Sequence, residues 1–270
     1  MRLSTVSLVS AAVAAALIAA ATPARSAEFG LAPLRRVVTE TARETTFVVS
    51  NPSDRPLKAR VDWVDLAATE DGYRPATRAE RAASSASPYL TLSPAFLSLA
   101  PGQSATIRIA VKKGARIPAG EKRSHLLVET DAVRSPLHKA GGLAADIGLS
   151  ITVPVVLRGG AGAAEARLGD TRLARAPDGA LELQTEVAPA GRYSAYGKLV
   201  VRFIDAATGG ERQLGVKRNV AAWIDARRRR YVVPLGQPRL PAGRLVVDYV
   251  GEEEYEGVVI ATREFSIKAP

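Results

Sequence analysis

No cysteine occurs in the 270 residues. Disulfide bonds, thiol nucleophiles and lipid attachment to a cysteine are thereby excluded. Histidine is nearly as scarce, with only His125 and His138, and neither stands near paired carboxylates in the sequence. A Cys/His metal centre has no ligands to draw on, so no cofactor or metal is expected. No glycine-rich phosphate cradle is present, because the Gly159–Gly162 run lacks the lysine such a loop needs. Ser104, in Gly102-Gln103-Ser104-Ala105-Thr106, lacks the second glycine of a nucleophile elbow. These absences argue against an enzyme. Aromatic residues make up 5% of the chain and no reader motif is recognisable, which argues against nucleic acid as a partner. Beyond residues 11–21, no stretch approaches the ~18 consecutive apolar residues of a membrane helix.

The early apolar run has its own explanation. Arg2 precedes it, and the small residues Ala24, Ser26 and Ala27 follow it. Residues 1–27 therefore read as a secretory signal peptide, cut after Ala24, Ser26 or Ala27. The mature chain is then exported, into the periplasm of a two-membrane bacterium. The formal charge of +10 becomes +8 (10 − 2) if Arg2 and Arg25 are removed. Such basicity suits a solvated surface, an anionic envelope surface or an acidic partner.

Short β-type runs fill the remainder. In the first half they lie at 34–39, 45–49, 59–64, 89–92, 105–111, 124–129 and 143–158, with turns at Asn51-Pro52-Ser53, Pro101-Gly102 and Pro118-Ala119-Gly120. Residues 67–87 read as a long loop with a short helix at 78–83. Small residues from Gly159 mark a linker at 159–164. A second set of runs follows at 166–173, 181–187, 197–204, 213–216, 231–234, 244–250 and 258–267. The expected fold is all-β: two Ig-like sandwiches at 28–158 and 165–270, after the signal peptide. Glu252-Glu253-Glu254 reads as a solvated acidic turn. Arg227-Arg228-Arg229-Arg230 reads as a solvated turn before a strand, with attraction to an anionic surface as the alternative.

The segment 143–158 is unusual. Leu143, Ala145, Ile147, Leu149, Ile151 and Val153 alternate with small or polar residues as far as Pro154. That is the period of a strand with one oily stripe. A proline suits an edge strand or a bend, and a long apolar edge invites pairing with another chain. The stripe either fills a partner or packs into the strand's own core.

An ordered set of motifs runs through the first half: Pro33-Leu34-Arg35-Arg36, Asn51-Pro52-Ser53, Val61-Asp62-Trp63-Val64-Asp65, Leu92-Ser93-Pro94, Leu99-Ala100-Pro101-Gly102-Gln103-Ser104, Pro118-Ala119-Gly120-Glu121 and Gly148 through Arg158. This order and spacing resembles the PapD-like periplasmic chaperones of chaperone–usher pili. The resemblance covers residues 28–158 well and the remainder loosely, where Ser194-Ala195-Tyr196-Gly197 looks like the second domain of the family's less-studied branches. It implies two domains set as a boomerang, with a binding cleft between them. It also implies pilin-like subunits and an outer-membrane usher as partners, and donor-strand complementation as the mechanism. The donor residues would be Ala145, Ile147, Leu149, Ile151 and Val153. Arg35, or Arg36 one residue on, would grip a subunit's C-terminal carboxylate. Arg158 would tie the domains together. The family's second cleft cation, a late-strand lysine, has no match here. Self-association through the donor edge is a further expectation. The alternative reading is an exported Ig-like structural, adhesion or envelope-binding protein.

Overall fold

The computed structural model describes residues 29–131 and 148–268. The signal-peptide reading, His138, Ala145 and Ile147 lie outside the described residues.

The first half forms two sheets face to face. One has strand order β1 (Gly30–Ala32), β3 (Glu44–Ser50), β9 (Ser104–Val111), β7 (Leu90–Ser93). The other has β2 (Arg36–Val38), β11 (Ser150–Gly159), β10 (Gly120–Thr130), β4 (Leu57–Val64), β8 (Phe96–Leu99). The chain crosses from one sheet to the other between β1 and β2. Both sheets follow the Ig pattern, in which the first two strands join the fifth and fourth while the last two join the third. Alternation explains the layering. Phe47 and Val49, Ile107 and Ile109, Leu126 and Val128 all point inward at period two and are buried in one core.

Three details differ from the sequence expectation. The run at 34–39 yields only the three-residue strand β2, and a separate strand, β1, precedes it in the other sheet. Phe96–Leu99 is an additional strand, with Leu97 and Leu99 inward and Phe96 outward. The expected loop at 67–87 holds a hairpin, β5 (Leu66–Ala68) with β6 (Tyr73–Pro75), before helix α1 (Arg78–Ser84). Three-residue strands are too short to show a period. The helix start was readable: Thr77 and Glu80 form a reciprocal capping box.

The second half repeats the plan. One sheet runs β12 (Ala166–Arg175), β13 (Leu181–Pro189), β16 (Arg229–Pro234). The other runs β15 (Glu211–Ala222), β14 (Ala195–Asp205), β17 (Gly243–Gly251), β18 (Val259–Ile267). Its core is separate and includes Leu199, Val201, Phe203, Val247 and Tyr249. Strand β15 reaches well beyond the expected 213–216.

A third, smaller apolar cluster lies between the sandwiches. Val156 and Ala68 of the first half meet Tyr196, Ala221, Trp223 and Ala226 of the second, with Val37 and Tyr255 packed alongside. The glycine run after β11 is pinned rather than loose. Tyr193 donates its hydroxyl to the Gly160 carbonyl at 2.5 Å, and a Cβ on Gly162 would stand 2.7 Å from the Tyr193 ring.

Candidate functional site

Strand β11 has an open side. It pairs along its whole length with β10, but only Val155, Val156 and Leu157 have β2 on the other flank. From Ser150 to Pro154, no strand covers that flank among the described residues. The Leu149 carbonyl accepts from the Thr130 N–H at 2.8 Å, so odd-numbered residues turn their backbone groups to β10. The N–H and C=O groups of Ser150 and Thr152 therefore face the open side. Pro154 shares that parity, and its missing N–H removes no bond from the β10 ladder.

The odd-numbered side chains form a graded row. Leu157, Val155 and Val153 belong to the first core, Ile151 packs partly against it, and Leu149 stands 38% exposed. The expected donor role of Val153 is corrected here. At 3% exposure it is sealed between its own two sheets. Leu149 and Ile151 are the members of the row that the described structure leaves accessible.

Arg35 is the largest departure from expectation. Its side chain is 0% exposed. Its Nη1 and Nη2 donate to Glu254 at 2.7 and 2.6 Å, and Nη1 also reaches Glu253 at 3.3 Å. The guanidinium lies 4.7 Å from the Tyr196 ring centre. Desolvation opposes its charge, but the hydrogen bonds and fields of Glu254, Glu253 and Glu121 outweigh it and raise the pKa above the ordinary arginine value. Arg35 already holds a carboxylate of its own chain, so its expected role as the anchor for a partner's terminus is corrected. Arg36, one residue on, is half-buried and pairs in register with Val155, where the open edge ends. Its Nε is buried without a hydrogen-bond partner among the described residues.

Glu252-Glu253-Glu254 is accordingly no solvated turn. Burial raises the pKa of Glu253, and the single long contact with Arg35 does not offset it. Burial also works against Glu254, but its paired bonds to Arg35 win and lower its pKa. Glu253 has φ of 57°, a left-handed conformation costly for a residue with a side chain. Glu254 also accepts from Arg158 Nη1 at 2.9 Å. Arg158 donates Nε to Glu121 at 2.9 Å and Nη2 to the Ser194 carbonyl at 2.9 Å, touching both sandwiches. Sequence could not foresee the latch, because its partners lie 219 residues apart.

His125 lies on the outer face of the same sheet, opposite Pro154 on one side and Val64 on the other. Tyr73 meets it edge to face at 5.2 Å. Burial, then the charge of Arg123, lowers its pKa to about 3. A neutral native ring against a charged unfolded one means that stability is lost as pH falls below the unfolded value near 6.5. The slope is about 1.4 kcal/mol per pH unit. Glu254, with its lowered pKa, loses its contribution only below the ordinary carboxylate range. The loss between pH 6.5 and 5 is therefore assigned to His125. Urea midpoints across that range should fall for the wild type and stay flat for His125→Phe. A parallel fall in both would refute the assignment.

Among the described residues, no group of three or more His, Cys, Asp or Glu side chains could hold a metal ion. No described helix is long and apolar enough to cross a membrane.

Fold and site define a protein of two Ig-like sandwiches, one of which has a partly uncovered strand edge beside a sealed junction. No sequence-family profile matches the chain, and no curated protein matches it. Solved structures with a similar fold include the E. coli chaperone DraB, at 18% identity and TM-score 0.40, covering 89% of this chain and 98% of that one. The Salmonella enterica SafA pilin–SafB chaperone complex matches at 14% identity and TM-score 0.43, over 90% and 98%. The CsuC–CsuE chaperone–tip adhesion subunit complex of Acinetobacter baumannii matches at 12% identity and TM-score 0.43, over 90% and 99%.

Proposed function

We propose that this chain is a periplasmic assembly chaperone, without catalysis or cofactor, that captures pilin-like subunits lacking one strand and passes them to an outer-membrane usher. The observation that carries the reading is the open flank of β11, where Ser150 and Thr152 offer backbone groups beside the emerging row of Ile151 and Leu149. A subunit strand added there gains ladder hydrogen bonds, and the apolar row fills the gap in the subunit's own sandwich. The ordered motifs of residues 28–158 support the same reading. In the sequence, Ala145 and Ile147 share the parity of Leu149 and Ile151.

Arg36 takes the anchoring role that Arg35 cannot fill. It lies where β2 closes the open edge, and a guanidinium binds a carboxylate through two parallel hydrogen bonds. Co-expression with a candidate subunit encoded beside it tests the reading. A soluble one-to-one complex is expected with a subunit that aggregates alone. Arg36→Ala should lower the recovered complex about tenfold, the loss of roughly one charged hydrogen-bond pair. A subunit that is equally soluble with and without this chain would refute the reading.

A further inference from the structure

The Arg227–Arg230 run and the β5–β6 hairpin have no part in the proposed capture, yet they make a dense set of contacts with each other. The hairpin leaves the first sandwich and lies on the connection between β15 and β16. Ala68 N–H donates to Asp225 at 3.0 Å, and Arg123 grips the same carboxylate with two bonds of 3.0 and 2.8 Å. Trp223 donates its indole N–H to the Tyr73 hydroxyl at 2.6 Å, while the Arg123 guanidinium sits 4.3 Å over the Trp223 ring. Arg229 stacks over Tyr73 at 4.8 Å. Arg228 and Arg230 hold Glu70 at 2.9 and 2.8 Å, and the Arg230 N–H donates to the Glu70 carbonyl at 2.8 Å. Arg228, Arg229 and Arg230 are thus tied to the hairpin, with Arg228 and Arg230 still about half exposed.

Position gives these contacts a mechanical meaning. The Arg35–Glu254 latch holds the residue that leads into β2, at one edge of the sheet. The hairpin contacts grip β10 and the continuation of β4, further across the sheet in the order β2, β11, β10, β4. Three strand spacings separate the extremes by about 14 Å. The apolar wedge shares Ala68 and Trp223 with the hairpin grip and reaches Val156 on β11, the strand between β2 and β10. One grip alone leaves a pivot, whereas two grips that far apart, with a packed wedge, leave none. We propose that the β5–β6 hairpin is a strap that fixes the angle between the sandwiches, and that cutting it turns the junction into a hinge about the Arg35–Glu254 latch. Joined domains move relative to each other by default unless an interface of this kind prevents it.

The lack of native cysteine makes the test clean. Spin labels on Ser98→Cys in β8 and Ser266→Cys in β18, both exposed, report one inter-sandwich distance by pulsed electron resonance. The uncut protein should give one narrow distribution. Tyr73→Ala combined with Glu70→Gln removes the ring of Tyr73 and the charge of Glu70, both partly exposed in the strap, and should broaden the distribution at least about twofold. Trp223→Ala should do the same by removing the indole from the wedge; if it fails to fold, the double variant decides. Arg60→Gln, which breaks an exposed ion pair with Asp62 on the first sandwich, should leave the width unchanged. A Tyr73→Ala/Glu70→Gln distribution that overlays the uncut one would overturn the strap. No subunit enters this measurement, so its outcome is independent of the chaperone reading.

Discussion

Leu149→Asp, alone or with Ile151→Thr, should abolish capture of a pilin-like subunit while leaving this protein folded. Leu149 is already substantially exposed, so a carboxylate there remains in water in the free protein. In the complex it would lie in an apolar groove. Burying one large aliphatic side chain stabilises by roughly 1.5–3 kcal/mol, and that gain is lost. Desolvating the new charge adds a further penalty. Affinity should therefore fall by at least about two orders of magnitude, at 1.4 kcal/mol per tenfold change. Ile151→Thr keeps a β-branched side chain at a position only partly packed on the core, which limits harm to the fold. Far-ultraviolet circular dichroism and the urea midpoint report on folding, and co-purification reports on capture. A folded double variant that still holds a subunit at wild-type yield would sink the edge assignment.

Arg35→Met should be the most damaging single substitution at the junction. It removes the cation but leaves Glu254 and Glu253 half-buried together, and a broken buried pair typically costs about 3–5 kcal/mol. Arg158 stays beside Glu254 and relieves part of that loss. The double variant Arg35→Met/Glu254→Leu should recover much of the stability, because an apolar pair of similar volume carries no stranded charge. Arg36→Ala, by contrast, should change stability by less than about 1 kcal/mol, as expected for a side chain outside the cores. Urea unfolding followed by tryptophan fluorescence suits the comparison, since Trp63 reports the first sandwich and Trp223 the junction. Equal losses for Arg35→Met and Arg36→Ala would show that the latch contributes little.

Among the described residues, the strands were most legible where alternation ran longest. Thr106 through Val111 is the plainest case: Ile107 and Ile109 are fully buried, as their parity requires. Legibility failed where a partner, not a period, decides the outcome. Val153 and Leu149 share a face and a chemistry, yet one is sealed in the first core and the other stands open to water. Arg35 and Arg36 are adjacent arginines, the first just before β2 and the second opening it. Only the location of Glu254, more than two hundred residues later, buries the first rather than the second. The same holds for Arg228 and Arg230, whose carboxylates sit on a hairpin too short to announce itself. Local pattern fixes which side of a strand is oily. It says nothing of which long polar side chain finds a counter-charge in another domain.

The parallel pairing of β2 with β11 also sets an order of assembly. Val37 has no neighbour on its sheet until Val156 has been made, and Arg35 cannot shed its water until Glu254 exists. Nearly the first segment of the folded region is thus among the last to be seated. A chain emerging end first must keep that segment unpaired until β11 arrives and Arg35 unlatched until the second half follows, which makes closure slow in the manner of all contacts between distant residues. The flank that stays uncovered in the finished protein belongs to the same strand that its own beginning waits for.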